Sequence, residues 1–397
     1  MDAIFEKHQL LLQQLDNKFD RIIEHDISWD DRLIGIKGSR GVGKTTLLLQ
    51  HIKRTYGFDT TALYVDLDDF TFNGISLQQF AKDFHKKGGK VLFLDEVHKY
   101  EQWSKALKNI YDSLPNLKVV FTGSSVMHIL HGSADLSRRA VMYRLHGLSF
   151  REYLQIETGK KFDAISLDDI ITNHQNICRD IVKKIKPLQY FDAYLKHGYF
   201  PYYLQNKQTY HMKVASTISL MMEVDIPMLT KLDFKYVHKL KKLLYILATS
   251  VPYQPNINKL AMLMETSRTT VLNYLHHLKD AELVHLLQAD EVGHSILSKP
   301  EKIYLHNTNL MYAIAPSNVN KGNLRETFFY NQLAINHKVE STEKGDFKID
   351  GKLIFEVGGE DKTSKQIKGI KNSFIAADMM EYGVNNKIPL WLFGFMY

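Results

Sequence analysis

The sequence holds one cysteine, Cys178, among 397 residues. A single thiol cannot close an intrachain disulfide, and its scarcity suits a reducing cytoplasm. Nowhere do eighteen apolar residues run uninterrupted, so no membrane span is expected. The first residues, Met1-Asp2-Ala3-Ile4-Phe5-Glu6, carry acidic groups early and no long apolar run, so no export signal is expected either. The 18 histidines include no His-Glu-x-x-His pattern and no Cys/His cluster, which leaves no structural zinc site to read. Charge of one sign is also in modest excess, +7 at pH 7. That balance fits a nucleic-acid or other anionic partner and fits ordinary solubility equally well. The remaining composition is that of a globular protein long enough for two or three domains with sizeable cores.

What is present is a complete phosphate-binding pattern. The apolar run Arg32-Leu33-Ile34-Gly35-Ile36-Lys37 leads into Gly38-Ser39-Arg40-Gly41-Val42-Gly43-Lys44-Thr45-Thr46, which fits G-x-x-x-x-G-K-[ST] at every position. The glycines let consecutive backbone N–H groups turn inward around phosphate oxygens. Lys44 supplies a point charge to the β- and γ-phosphates, and a helix expected over 45–53 adds the partial positive charge of its N-terminus. The Thr45 hydroxyl is placed to hold Mg²⁺, and Thr46 reads as a helix-cap or packing residue.

A second segment points to hydrolysis. Val91-Leu92-Phe93-Leu94 is continuously apolar, as a strand covered on both faces should be, and it ends in Asp95-Glu96. Downstream of an intact phosphate loop, Asp95 is expected in the Mg²⁺ shell and Glu96 is expected to polarise the attacking water.

Along the chain, residues 4–23 space their apolar positions as an amphipathic helix. Strands are expected over 63–67, 91–94 and 117–125, with 136–145 a polar loop entering a fifth strand, and helices over 76–86 and 103–114. This alternation implies a parallel sheet with right-handed crossovers whose active edge lies at the strand C-termini. There, Thr122, Ser124 or Ser125 either senses the γ-phosphate or makes a simple turn. Arg138 and Arg139, ahead of the fifth strand, are either arginine-finger candidates or surface residues. Residues 151–235 read as helical. Their basic run at Lys183-Lys184-Ile185-Lys186, like Lys239-Leu240-Lys241-Lys242 after them, reads as a solvated helix face before it reads as a nucleic-acid contact.

Residues 236–287 carry the pattern of a winged helix-turn-helix: helices over 236–249, 257–264 and 268–279, with breaks at Pro252 and Pro255 and a cap at Ser267. The third helix sets Val271, Leu272, Leu275 and Leu278 on one face and Arg268, Thr269, Asn273 and His276 on the other. One arginine and no lysine before Lys279 make a weak footprint for duplex DNA, so a lid beside the nucleotide stands as the other reading. From about Pro300, two strand-like runs within 347–357 flank Asp350-Gly351, a hairpin signal.

Together, the loop at 38–45, Leu94-Asp95-Glu96-Val97-His98, Thr122-Gly123-Ser124-Ser125 and Leu145-His146-Gly147-Leu148-Ser149-Phe150-Arg151-Glu152-Tyr153 resemble the nucleotide domain of a widespread prokaryotic family of AAA-type ATPases. Further matches are Gly198-Tyr199-Phe200-Pro201, Asp225-Ile226-Pro227, Lys302-Ile303-Tyr304-Leu305 and Gly322-Asn323-Leu324-Arg325-Glu326. The resemblance implies adenine as the base and a winged-helix region followed by a restriction-endonuclease-like domain. It also marks Arg139 as the arginine position, although the usual Gly-Arg pair is here Arg138-Arg139. In the nuclease-like domain Glu326, Asp346 and Glu356 match metal-binding positions, but the matching lysine position is Gly358, so Lys362 or Lys365 stands in or the domain is inactive.

The expected architecture is therefore α/β: a three-layer P-loop domain over 1–150, a helical and winged-helix domain over 151–299, and a small, degenerate nuclease-like α/β domain over 300–397. The expected activity is Mg²⁺-dependent ATP hydrolysis in the cytoplasm, coupled to DNA or to a protein partner, with homo-oligomers allowed. Gly38, Ser39, Arg40, Gly41, Val42, Gly43, Lys44, Thr45 and Thr46 would hold ATP. Thr45 and Asp95 would hold Mg²⁺, and Glu96, Lys44 and Arg139 would serve catalysis. An ATP-dependent binding switch and an ATP-gated nuclease are the alternatives.

Overall fold

The computed structural model describes residues 1–15, 19–72, 74–124, 136–230, 233–250, 254–289 and 299–397; Ser125 and Pro252 lie outside them. Two compact units follow one another along the chain, Met1–Gly147 and Leu148–Tyr397.

In the first unit β1 (Leu33–Gly38), β2 (Ala62–Asp66), β3 (Val91–Asp95), β4 (Lys118–Ser124) and β5 (Val141–Arg144) form one sheet in the order β2-β3-β4-β1-β5. Every neighbouring pair is parallel. Helices α2 (Lys44–Thr55), α3 (Leu77–Lys86) and α4 (Trp103–Ser113) make the crossovers from β1 to β4, and α1 (Asp2–Gln14) precedes them. One sheet face presents Leu33, Leu63, Leu92, Leu94, Val119 and Phe121 to Leu77, Phe80 and Phe84 of α3 and Trp103, Leu107 and Ile110 of α4. On the other face His51 of α2 meets Phe93. Helices on both faces explain why β3 is apolar to its last residue and buried throughout. This is the expected P-loop NTPase architecture.

The N-terminal helix is shorter than the periodicity of 4–23 predicts. It stops at Gln14, Leu15 is extended, and Ile22–His25 forms a separate 3₁₀ turn. Past that break the buried Arg21 guanidinium donates to Val42 O (2.7 Å), His146 O (2.8 Å) and Gly147 O (3.1 Å). α1 instead covers the exposed edge of β2, where the Tyr64 N–H donates to His8 Nδ1 (3.1 Å).

Burial pushes the His8 pKa down to about 4, and its Nδ1 must stay unprotonated to accept that bond. The unfolded chain takes up the proton below pH ~6.5, so this contribution is complete above ~6.5 and is lost as pH falls toward 4. Urea unfolding of the wild type should weaken over this window by up to about 3 kcal/mol more than that of His8→Gln. Parallel pH profiles for the two proteins would rule out His8 as the source.

The second unit is helical before it is mixed. Its helices α5 (Phe150–Thr158), α6 (Leu167–Lys184), α7 (Pro187–His197), α8 (Tyr210–Leu220) and α9 (Ile226–Thr230) lead to α10 (Val237–Thr249), α11 (Ile257–Leu263) and α12 (Arg268–Asp280). Their starts are set locally: Ser149 and Glu152 form a reciprocal capping box at α5, and Ser166, Asn256 and Ser267 cap α6, α11 and α12. After α12, β6 (Val284–Leu287) pairs antiparallel with β7 (Lys302–Leu305). Then α13 (Thr308–Ile314) and α14 (Lys321–Leu333) precede β8 (Val339–Glu340), β9 (Phe347–Ile349), β10 (Leu353–Gly358), β11 (Ser373–Ala377) and β12 (Lys387–Pro389). These last five make a mixed sheet in the order β12-β11-β10-β9-β8. Asp350 (φ 51°) and Gly351 (φ 72°) turn β9 into β10 where the Asp-Gly signal stands. Residues 151–299 and 300–397, expected as two domains, fall within this one unit.

Asn309, fully buried at the start of α13, ties this unit together. Its Nδ2 donates to Leu195 O (2.9 Å) and Tyr194 O (3.2 Å) at the end of α7. Its Oδ1 accepts from Tyr199 N (2.9 Å) and from the Tyr210 hydroxyl of α8.

Candidate functional site

At the C-terminal edge of the first sheet, β1 runs into the phosphate loop and α2 begins at Lys44, with Gly43 as its N-cap. Gly41 (φ 85°) and Gly43 (φ 98°) adopt backbone conformations that side chains disfavour, which frees successive N–H groups to face one point. Gly38 is required by packing as well: a Cβ there would lie 2.3 Å from Leu145 O. Lys44 is buried, with Nζ 3.0 Å from Gly38 O and 3.1 Å from Ser39 O, so its charge is held inside the loop. Val42 and Ser39 are buried, Arg40 is half-buried, and Thr45 and Thr46 are exposed on the first turn of α2.

The carboxylates arrive from β3. Asp95 is 2% exposed and is gripped from three elements. Thr45 Oγ1 of α2 donates to Oδ2 (2.5 Å), Tyr64 Oη of β2 donates to Oδ2 (2.8 Å), and Thr122 Oγ1 of β4 donates to Oδ1. Burial first, and then the Asp95 charge, push the Tyr64 phenol well above its usual range, so it stays a donor. Asp66 ends β2 in register with Asp95, and its carboxyl is pushed up chiefly by burial.

Glu96 follows Asp95, leaves the strand in a left-handed conformation (φ 53°), and its N–H donates to Thr122 Oγ1 (3.1 Å). Thr122, expected as a γ-phosphate sensor or a turn residue, thus bridges both acidic residues. Ser124 pairs in register with Gly38 beside the loop.

Mg²⁺ requires hard oxygen donors and keeps several waters. Thr45 Oγ1 and Asp95 Oδ2, 2.5 Å apart at the mouth of the loop, form such a pair, so the residues fit the ion.

Arg139 is not brought to this edge. Its guanidinium is clasped by Asp112 at 3.0 and 3.1 Å, near the end of α4. Val141, two residues on, pairs with Ile34 near the start of β1, which puts Arg139 roughly 15 Å along the strands from Gly38. β5 instead carries Arg144 to register with Lys37, one residue before the loop. Nothing local in the sequence marks Tyr64 or Arg21 as part of the site; the alternation of 62–66, which sets Tyr64 on one face with Asp66, is the nearest signal.

In the second unit, Arg268, Thr269 and Asn273 are exposed on α12 and His276 is half-buried. The basic runs are engaged within the unit. Lys239 and Lys242 donate to Glu265 O (2.8 Å) and Leu263 O (2.7 Å) at the end of α11, Lys241 pairs with Glu223, and Lys183 pairs with Asp180 (3.3 Å).

Glu326, Asp346 and Glu356 lie around two lysines. Lys302 Nζ is 4.0 Å from Glu326 and 3.9 Å from Asp346, and Lys362 Nζ is 2.5 Å from Glu356. The Lys362 stem fills the space that a side chain at 358 would take, since a Cβ on Gly358 would come within 2.7 Å of it. Burial, followed by the Asp346 charge, raises the Glu326 pKa, and burial is also the chief cause of the raised Glu356 pKa. Among the described residues no three His, Cys, Asp or Glu side chains form a metal-holding group, and no helix is long and apolar enough to cross a membrane.

Comparison with known proteins agrees with this geometry where it is sharpest. Residues 30–154 match the family described as AAA domain, and residues 188–321 match a domain of unknown function. The chain is 29% identical over 292 residues to the uncharacterized protein MJ1637 of Methanocaldococcus jannaschii, covering 70% of this chain and 61% of that one. It is 23% identical over 352 residues to MJ1544 of the same organism, covering 84% of this chain and 73% of that one. Among solved structures, AMPPCP-bound DnaA from Aquifex aeolicus is 16% identical with a TM-score of 0.26, covering 67% of this chain and 93% of that one. The Aeropyrum pernix ORC1 protein in complex with DNA is 11% identical with a TM-score of 0.32, covering 80% and 92%. Residues 30–154, headed by the complete phosphate loop, form an AAA-type P-loop ATPase domain.

Proposed function

We propose that the chain is a Mg²⁺-dependent ATPase. The observation that carries this reading is the convergence of Thr45 Oγ1 and Asp95 Oδ2 at the loop mouth, with Glu96 next in the chain. In this reading the loop amides from Gly38 to Thr46 and the Lys44 ammonium hold the phosphates. Mg²⁺, when bound, neutralises charge developing on the phosphoryl oxygens. Thr45 and Asp95 orient their oxygens toward it, with Tyr64 and Thr122 fixing the Asp95 carboxylate. Glu96 aligns a water with the γ-phosphate and takes up its proton.

Lys44→Ala tests the binding half of this proposal. Removing a charge-assisted contact of about 1.5–3 kcal/mol should raise the Kd of a fluorescent ATP analogue by tenfold or more. Unchanged affinity would remove the loop from the account.

The domain assignments belong to the same proposal. Helices α10, α11 and α12 followed by the β6–β7 pair support a winged helix that begins within 151–299 and whose second strand, at 302–305, lies past that boundary. A degenerate nuclease-like domain over 300–397, rather than an ATP-gated nuclease, is supported by the lack of a metal-holding group among the described residues, although Lys362 beside Glu356 occupies the place of the missing lysine. Because the basic runs are engaged in caps and ion pairs, a protein partner is favoured over DNA as the target of the nucleotide state. Arg139 is held away from the loop by Asp112, so the arginine that completes charge stabilisation is a different one, from this chain or from a neighbouring copy. A cytoplasmic setting suits the single buried Cys178.

A second reading is an ATP-dependent switch with incidental turnover. Tight ATP binding with turnover no faster than that of Glu96→Gln would select it.

A further inference from the structure

The chain reverses directly after the carboxylates. Glu96 sits at φ 53° and ψ 42°, and Val97–Lys99 closes a 3₁₀ turn through Lys99 N to Glu96 O (2.9 Å) and Tyr100 N to Val97 O (3.0 Å). A left-handed glutamate costs of order 1 kcal/mol or more and persists only where its surroundings impose it. Here the reversal returns the side chain at 98 beneath the one at 96. The His98 imidazole is fully buried, and its Nε2 lies 3.4 Å from Glu96 Oε2, while the Glu96 side chain keeps 22% of its surface open to solvent. The Glu96 backbone is fixed at N–H by Thr122 and at C=O by Lys99. Its carboxylate thus has a rigid ring against Oε2 and is partly open to solvent.

We infer that His98 is a positioning residue for Glu96: the imidazole anchors Oε2 so that the other carboxylate oxygen presents to the attacking water. Two features separate this from a histidine that merely fills the core. A packing role needs no approach to a carboxylate oxygen, and it gives no reason for Glu96 to hold an unfavourable backbone conformation. In this structure the 3.4 Å approach is a charge contact rather than a hydrogen bond; a proton on Nε2 would let the ring donate to Oε2 on a small closure. A contact of this length can shorten once substrate is bound, as catalytic hydrogen bonds do. The inference rests on the ATPase reading, because it assigns His98 a role only through Glu96.

The test is kinetic, on the full chain with saturating Mg²⁺ and ATP. His98→Ala should lower kcat by about 10- to 100-fold, the range expected when a catalytic group is misplaced, with KM for ATP little changed. His98→Gln, whose amide can also donate, should recover part of the loss. In single-turnover assays, adding His98→Ala to Glu96→Gln should slow hydrolysis no further, since residues that act as a unit are not additive. An equal loss in both backgrounds, or wild-type kcat in both single variants, overturns the positioning role. If His98→Ala does not fold, His98→Gln alone and combined with Glu96→Gln carries the same comparison. A wild type that binds ATP without hydrolysing it would sink the ATPase reading itself, a result distinct from normal turnover that is indifferent to residue 98.

Discussion

Glu96→Gln is expected to bind ATP as tightly as the wild type and to hydrolyse it about 10²- to 10⁴-fold more slowly, the contribution typical of a positioned general base. The amide keeps the shape and the left-handed backbone of the native residue but cannot take up a proton. Asp95, Thr45, Tyr64 and Thr122 are undisturbed, so the Thr45–Asp95 oxygen pair and the phosphate loop remain as they are. The loss should therefore fall on kcat and leave nucleotide affinity intact, which separates this variant from Lys44→Ala. Equilibrium binding and single-turnover hydrolysis on the same preparation give both numbers, and wild-type turnover would remove Glu96 as the base.

Asn309→Leu should destabilise the second unit by several kcal/mol. The substitution keeps the branched shape but is bulkier, so lost polar contacts and overpacking both contribute. It strips partners from Tyr199 N–H and the Tyr210 hydroxyl, and takes one from each of the carbonyls of Tyr194 and Leu195. Each buried group left unsatisfied costs about 1–3 kcal/mol; the Tyr194 carbonyl keeps the Gly198 N–H, so the cost falls on the other three. The Tyr210 phenol cannot escape by ionising, because burial holds its pKa well above the usual range. Denaturant unfolding should show a large fall in the midpoint, with helical content in the folded baseline unchanged. A shift below about 1 kcal/mol, the size of an ordinary surface change, would mean that the three groups find other partners.

The structure of this chain was legible wherever it is local. The phosphate loop is nine consecutive residues, and its glycines announce the backbone they adopt. Val91 to Leu94 announces a doubly covered strand by being apolar throughout. Ser76 and Ser267 announce helix starts because a cap works within three residues, and Asp350-Gly351 announces its turn for the same reason.

Residues whose partners lie far along the chain were not legible. Arg21 reads as one charge in an amphipathic run until Val42, His146 and Gly147 are placed around it. Tyr64 reads as a strand residue until β2 lies beside β3. Asn309 reads as a polar helix start, and its partners are about 100 residues away. Arg139 shows the converse: its sequence neighbourhood suggested a role at the nucleotide, and Asp112, 27 residues earlier, holds it at the far edge of the sheet. Lys362 is intermediate, since the sequence offers it as a stand-in for the side chain missing at Gly358, and only its packing distinguishes it from Lys365.

The most direct test is steady-state ATP hydrolysis by the wild-type chain with Mg²⁺ and with excess chelator, each with and without duplex DNA. The account predicts turnover that requires Mg²⁺ and is indifferent to DNA. Turnover that persists in chelator would contradict the roles of Thr45 and Asp95, and its complete absence despite ATP binding would contradict the ATPase itself.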